Sequence, residues 1–387
     1  MIVRNNVPVI DLFAGVGGLG LGASASGGDV RLSVEIDHTC CETMRKNLKG
    51  DTHKILEEDV SSLTGVRLRY EAGLSNDDPL LIVGGAPCQP FSKAAYWTDP
   101  GNEARHREAR ADGTNSVSPG PILVPKQDQR RTLIEEFWRL VVEANADAFV
   151  FENVPSILHP RNLSTFQSLR DAFEDVGYKT TLVKANAAQY GVAQARERIF
   201  LLGLKKEAPS YSKCTHAWKI DNDPSLIPTV TSGEALKPFA SKKFMEPEEI
   251  VSGKWAEQLF EIPPGWNYKA LTEWAGHPNP SFIAERRFWN FLLKLSPDKP
   301  SWTIAASPGP WTGPFHWKNR RLRTTEMAAL QSFPIGYRFT GSRRDRVRQI
   351  GNAVPPLLAQ KMTEMLLDKI GGIGQNPPHK LQERVYA

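Results

Sequence analysis

Several familiar features are scarce in this 387-residue chain, and each scarcity closes off a class of protein. Cysteine occurs four times, at positions 40, 41, 88 and 214, with no C-x-x-C pair and no His/Cys cluster at ligand spacing, which argues against a structural zinc site or any other metal site. No apolar run approaches the roughly 20 residues that span a bilayer, so the chain reads as soluble. The N-terminus, MIVRNNVPVIDLF, lacks the charged, apolar and small-residue succession of a secretory leader and runs straight into a strand-like segment; the expected location is cytoplasmic. No internal repeat is present. Net charge is only +5, with hydrophobic content of 40% and charged content of 24%, values of an ordinary globular protein. A weak net charge is compatible with a polyanionic partner without establishing one, because local distribution matters more than the sum. Residues 316–350 hold nine Lys/Arg against two Asp/Glu. Alone, such a run is more often a solvated face than a binding patch.

The length favours two domains. Apolar runs VPVIDLF, VRLSVEI, LLIVGG, DAFVFEN, TTLVKANA and RIFLLGL alternate with helix-like stretches near 37–49, 131–145 and 163–176 up to about residue 204. This is the rhythm of a doubly wound α/β fold with a mostly parallel sheet. It stops near residue 206, and eight of the ten tryptophans follow: Trp218, Trp255, Trp266, Trp274, Trp289, Trp302, Trp311 and Trp317. Most of these read as core anchors of a small, turn-rich module. A helix-like segment, PPLLAQKMTEMLLDKI, closes the fold before a polar tail from about Gly371 that reads as disordered. Residues 93–127 form a long, polar excursion, a length usual for functional or disordered loops.

Chemistry gathers where strands end. Asp11-Leu-Phe-Ala-Gly15-Val-Gly17-Gly18-Leu-Gly20 follows the first strand and opens a helix, so its glycines allow a tight turn and close ligand approach. An NAD-binding dehydrogenase satisfies the same pattern, with Glu35 placed for ribose hydroxyls, and a ligand-free structural turn satisfies it too. Further on, Gly84-Gly-Ala-Pro87-Cys88-Gln89-Pro90-Phe91-Ser92 puts a cysteine just beyond a strand end, either as a nucleophile or as a small buried apolar residue. The next strand ends in Glu152-Asn153-Val154. A cysteine nucleophile with a neighbouring glutamate acid suits addition to an electron-poor ring.

Together, DLFAGVGG, PCQPFS, ENV, QARER and QIGNAVPP, in this order and over nearly the whole chain, resemble the DNA cytosine-5 methyltransferase family, and in particular its stand-alone prokaryotic or phage members. The resemblance implies a class I S-adenosylmethionine-dependent methyltransferase fold, Rossmann-like, with a mixed, mostly parallel sheet and a smaller irregular target-recognition domain. It assigns residues 1–205 and 346–387 to the catalytic and cofactor-binding domain, 206–345 to target recognition and hinge, and 93–127 to a long mobile catalytic loop. It implies that Cys88 is the nucleophile and Glu152 the acid, with Gln194, Arg196 and Arg198 as the Q-x-R-x-R set, the two arginines fixing the base and a flanking phosphate. S-adenosylmethionine is the implied cofactor. Phe13, Gly15, Gly17 and Gly18 would line its site, Glu35 would hold the ribose, Ile36 would pack on the adenine and Asp59 would accept from its amino group. Val60, Pro87, Leu133, Asn352 and Val354 would complete the pocket, which requires the final helix to fold back beside the first strand.

The implied partner is double-stranded DNA, with the target cytosine extruded from the stack, and Gln89, Ser92, Arg130, Thr303 and Ile304 are the implied DNA contacts. Two departures from the family stand out. About 35 residues separate Ser92 from Asp128, where about ten are common, and the usual D-x-R-G reads Asp128-Gln129-Arg130-Arg131. Arg105, Arg107 and Arg110, inside the excursion, are candidate DNA contacts. Arg320, Arg321, Arg323, Arg343, Arg344, Arg346 and Arg348 are expected to touch phosphates or to serve the domain junction. A branch that methylates transfer RNA is the nearest alternative, but it carries Pro-Pro-Cys and Cys-Phe-Thr; Ala86 precedes Pro87 here, and Cys-Phe-Thr is absent. A catalytically silent DNA-binding relative would not keep Cys88, Glu152 and the arginines together. A monomer, paired with a restriction endonuclease of the same target, completes the expectation.

Overall fold

The computed structural model describes residues 7–48, 52–87, 91, 128–219 and 223–371. Cys88, Gln89, Ser92, the 93–127 excursion with its three arginines, and the tail beyond Gly371 therefore lie outside the described residues.

Strands and helices alternate as β1 (Pro8–Leu12), α1 (Gly18–Ala25), β2 (Asp29–Glu35), α2 (His38–Asn47), β3 (Lys54–Glu57), α3 (Gly65–Glu71), β4 (Leu81–Gly84), α4 (Leu133–Glu143), β5 (Ala148–Asn153), α5 (Pro160–Asp175), β6 (Lys179–Asn186), β7 (Gln194–Ala195) and β8 (Glu197–Leu204). Seven strands form one sheet in the order β3-β2-β1-β4-β5-β8-β6. The first five are mutually parallel, and β8 runs antiparallel to both β5 and β6. The doubly wound, mixed sheet expected from the sequence is thus present, with one strand more than its apolar runs suggested. β3 (KILE) is short and only half-buried, so it carries no apolar run to read.

Local chemistry explains the elements. β5 (AFVFEN) is buried at all six positions, as a central strand covered on both faces must be. α4 buries Ile134, Phe137, Leu140 and Val141 at helical spacing, while Arg139 pairs with Glu136 and Glu143 on its outer side. α5 starts at Pro160, with the His159 ring accepting from the Arg161 amide.

One face of the sheet carries Leu12, Ile82, Phe149 and Phe151, in one cluster with Phe137 of α4 and Phe173 of α5; the other carries Val9, Val83, Val150, Phe200 and Leu202. Burying each phenylalanine contributes roughly 1.5–3 kcal/mol. The last helix, α10 in this numbering, closes the second face. It follows α6 (Ser232–Leu236), α7 (Ala256–Glu261), α8 (Thr324–Leu330) and α9 (Arg343–Asn352), and spans Pro356–Gly371. It packs so closely on α1 that a β-carbon at Gly22 would lie 2.4 Å from that of Ala359. The final helix does fold back as the motif order requires.

Among the described residues beyond 206 the strands are two residues long, β9 (Ser301–Trp302), β10 (Phe315–His316) and β11 (Arg320–Arg321). Val251, Leu259, Ile262, Tyr268, Leu271, Phe282, Leu292 and Phe315 make a separate small core there. The tryptophans correct an expectation. Trp255 and Trp311 pack against that core, but Trp266, Trp274, Trp289 and Trp302 are 41–70% exposed. Among the described residues no helix is long and apolar enough to cross a membrane.

Candidate active site

The glycine loop begins where β1 ends. Phe13, Gly15 and Gly17 all have positive φ (55°, 56° and 78°), which turns the chain sharply into α1. Glu35, at the end of β2, fixes the loop: its Oε2 accepts from the Gly15 amide at 2.7 Å and its Oε1 from the Asp37 amide at 2.8 Å. Burial pushes the Glu35 carboxyl up, against those two hydrogen bonds. Next to it Ile36 is 66% exposed, an apolar side chain held in the open at the carboxyl edge of the sheet. Asp59 is exposed, with its Oδ1 accepting from the Ser61 amide, while Val60 is buried beneath it. Pro87 and Leu133 are half-buried at the same edge, and Asn352 is exposed at the end of α9.

Gly18 also has a packing role. A β-carbon there would lie 2.3 Å from the Val354 carbonyl oxygen, so this glycine permits helix contact, and Val354 is buried against it. Deeper in the loop, Asp11 is fully buried and accepts from the Gly20 amide through Oδ2 (2.9 Å), while its Oδ1 has no partner. Burial pushes its carboxyl up to about 8.

Two C-terminal residues clasp the loop from outside: Tyr337, which motif reading passed over, and Arg348, expected at a phosphate or the domain junction. The Tyr337 hydroxyl donates to the Val16 carbonyl (2.7 Å), and Arg348 donates to Asp37 (2.8 Å). Partial burial raises the Asp37 carboxyl, but the Arg348 guanidinium and nearby donors override this and hold it well below the usual range.

The second half of the site lies at the ends of β4 and β5. Glu152 is 8% exposed, with Oε1 2.7 Å from Arg198 Nε. Burial pushes its carboxyl up more strongly than Arg198 and Arg196 pull it down. Gly85 runs directly beneath: a β-carbon there would lie 2.8 Å from Glu152 Oε2. Asn153 donates to the Ala86 carbonyl (3.3 Å), which ties the strand leading to Cys88 to the strand carrying the acid. Neither Gly85 nor Asn153 was singled out by sequence reasoning, although Asn153 lies inside the ENV motif and Gly85 two residues before PCQPFS.

The other sequence-predicted residues separate. Gln194 is buried, donating to Leu330 O and Gln331 Oε1 and accepting from the Ile304 amide. Arg196, 1% exposed, donates to the carbonyls of Ile304, Gly351 and Ala353. Both act as joints between β7 and the C-terminal half, in contrast to the base and phosphate contacts expected of Arg196. Ile304 is a clear correction as a DNA contact: its side chain is 1% exposed in an apolar cluster with Leu295, Leu322 and Ile350. Thr303 is exposed, its hydroxyl donating to Ala195 O. Arg130 is half exposed and paired with Asp128.

The basic stretch also resolves. Arg323 and Arg320 pair with Glu249 and Glu326, Arg343 with Glu246 and Arg348 with Asp37, so these arginines serve junctions. Arg344 is exposed.

A doubly wound mixed sheet with a glycine loop after β1, an acid at the end of β2 and a buried carboxyl at the end of β5 has the fold of a class I methyltransferase. Residues 7–107 and 124–368 match the family described as C-5 cytosine-specific DNA methylase, and the chain belongs to that family. It is 34% identical over 396 residues to the type II methyltransferase M.SacI of Streptomyces achromogenes, with 95% of each chain covered, and 31% identical to M1.HphI of Haemophilus parahaemolyticus, covering 95% of this chain and 88% of that protein. In fold it is similar to a putative DNA modification methyltransferase encoded within a prophage of E. coli (TM-score 0.61, 24% identity, covering 94% of this chain and 99% of that one). The S. pombe Dnmt2 methyltransferase is also similar in fold (TM-score 0.56, 14% identity, 94% and 99% covered). The protein is an enzyme that methylates carbon 5 of cytosine in DNA, in preference to the transfer-RNA alternative.

Proposed function

We propose that the chain methylates one specific cytosine in double-stranded DNA by a covalent route through Cys88, with S-adenosylmethionine as donor, and that it protects DNA within a restriction-modification system. The observation that carries the reading is the packing of Gly85 and Asn153 around Glu152, which joins the Pro-Cys strand end to a buried carboxyl.

Carbon 5 of cytosine is too weak a nucleophile to accept a methyl group directly. The Cys88 thiolate forms a bond to carbon 6, and the ring electrons move toward nitrogen 3, making carbon 5 an enamine carbon. Glu152, its carboxyl raised by burial, holds a proton for nitrogen 3 at that moment. Arg198 fixes the carboxyl's orientation from one side, while Arg196 and Gln194 hold the segment that leads to Arg198. After transfer, a water takes the proton from carbon 5, nitrogen 3 returns its proton to Glu152, and the sulfur–carbon bond breaks to give back the thiolate.

The residues at the β1 and β2 ends fit S-adenosylmethionine: a positive-φ loop open to solvent at Gly15, a carboxylate with acceptor capacity at Glu35 and an exposed apolar side chain at Ile36. When bound, the cofactor supplies the electrophilic methyl group. Phe13, Gly15, Gly17, Glu35, Ile36, Asp59, Leu133 and Asn352 would hold it. Residues 206–345 act as the target-recognition region, and a restriction endonuclease with the same target is the proposed partner, in keeping with the type II relatives.

Trapping tests the route. In a duplex carrying 5-fluorocytosine at the target, fluorine cannot leave carbon 5 as a proton does, so the adduct persists. A denaturation-resistant complex with the wild type, lost in Cys88→Ala, supports the route; equal complex in both contradicts it.

A further inference from the structure

Four residues in succession, Arg286, Arg287, Phe288 and Trp289, are exposed, Phe288 and Trp289 by 55% and 52%. Trp289 packs edge-on against Trp302, itself 41% exposed, with ring centroids 4.9 Å apart and planes 71° apart. Large rings left this open in a monomeric fold mark a contact surface when they cluster. The place of Trp302 is fixed firmly. Its neighbours Ser301 and Ile304 are buried, and its strand, β9, pairs with β7 so that Trp302 lies opposite Ala195. Ala195 is three residues from Arg198, the partner of Glu152, which is about 10 Å along an extended chain. A cytosine leaving a duplex travels roughly a groove depth, also on the order of 10 Å. Its departure exposes the π-faces of its stacked neighbours, and an aromatic ring nearby restores that stacking.

We propose that the Trp289–Trp302 pair, flanked by Arg286 and by Arg287, whose guanidinium lies over the Phe291 ring (5.5 Å), is the surface on which the bases beside the extruded cytosine stack, with Arg286 facing the phosphates. The assignment rests on the DNA-methylation reading above. Exposure on β9, charge complementarity with the phosphates, and direct pairing of β9 to the strand that leads to Arg198 all favour duplex DNA as the occupant. Neither tryptophan acts on the reacting atoms. Their contribution is to hold the extruded state, so their loss appears in DNA affinity and in the population of that state.

The test compares wild type, Trp302→Ala, Trp289→Ala and Trp302→Phe on an unmethylated duplex containing the site mapped by bisulfite sequencing, using tritiated methyl transfer. Stacking of one base predicts a rise on the order of tenfold in KM for DNA in each alanine variant, with KM for S-adenosylmethionine unchanged and Trp302→Phe near wild type. A duplex with an abasic position in place of the target cytosine's partner, which is already partly unstacked, should narrow the difference in binding. Alanine variants with wild-type KM for DNA overturn the assignment, as does an equal rise in KM for both substrates, which would make the pair structural. A wild type that transfers no methyl group to any DNA overturns the methylation reading itself, a result no tryptophan variant can mimic.

Discussion

Gly85→Ala tests the geometry of the acid with a single carbon atom. The added β-carbon would lie 2.8 Å from Glu152 Oε2, where 3.4 Å and above is ordinary contact. The strand cannot easily yield, because the adjoining Gly84 is itself packed against Leu12 O and Phe137 and paired with Phe151. The carboxylate must therefore retreat by about 0.6 Å, against its 2.7 Å contact with Arg198. A displacement of 1 Å in a reacting group can lower a rate about a hundredfold, so kcat should fall on the order of tenfold, equivalent to about 1.4 kcal/mol of barrier. Overpacking at this strand end should destabilise the fold by roughly 1 kcal/mol. Methyl transfer to duplex DNA at saturating cofactor, with thermal denaturation beside it, gives both values. Folded Gly85→Ala protein with wild-type kcat would refute the reasoning, and so would a defect confined to KM for S-adenosylmethionine.

Three other perturbations follow from the same packing. Asp11 has a folded pKa of about 8 against 3.8 in the unfolded chain, so the unfolded state gains stability by ionising as pH rises through that window, and the native state loses relative stability between about pH 4 and pH 8. Asp11→Asn removes the slope, and its melting temperature relative to wild type should climb from pH 5 to pH 8; a constant difference would show that Asp11 is already ionised. In Glu35→Gln, one of the amides of Gly15 and Asp37 must face an NH₂ group, leaving a partly buried donor unsatisfied at a cost of about 1 kcal/mol. KM for S-adenosylmethionine should rise on the order of tenfold with KM for DNA unchanged, as steady-state kinetics would report. Gly18→Ala drives a β-carbon to 2.3 Å from the Val354 carbonyl and should cost about 1–3 kcal/mol in thermal unfolding, whereas wild-type stability would mean that α10 can shift freely.

How much of this was readable from residue order depended on distance along the chain. Strands buried on both faces, such as LIVG and AFVFEN, announce themselves as apolar runs, and the turn glycines 15 and 17 sit where positive φ demands them. The Pro-Cys stretch and Glu152 sit at the ends of neighbouring strands, so the approach of the two segments could be anticipated. Partners more than a hundred residues apart could not. Nothing local tells that Arg196 meets carbonyls at 304, 351 and 353, or that Ile304, beside an exposed Thr303, turns into the core. The basic stretch could be read only as phosphate contact or junction, because the acids that decide between them, Glu246, Glu249 and Asp37, come from elsewhere in the chain. Tryptophan content suggested a core, and only the folded chain separates Trp255, which packs, from Trp289 and Trp302, which remain open.

The central claim, specific methylation of cytosine carbon 5 through Cys88 and Glu152, is tested most directly by bisulfite sequencing of DNA from a methylation-free bacterial host expressing the protein, with Cys88→Ser and Glu152→Gln strains in parallel. The account predicts cytosines protected at one short sequence in the wild type, no protection in Cys88→Ser and sharply reduced protection in Glu152→Gln. An unprotected genome despite folded wild-type protein, or protection that survives in Cys88→Ser, would contradict it.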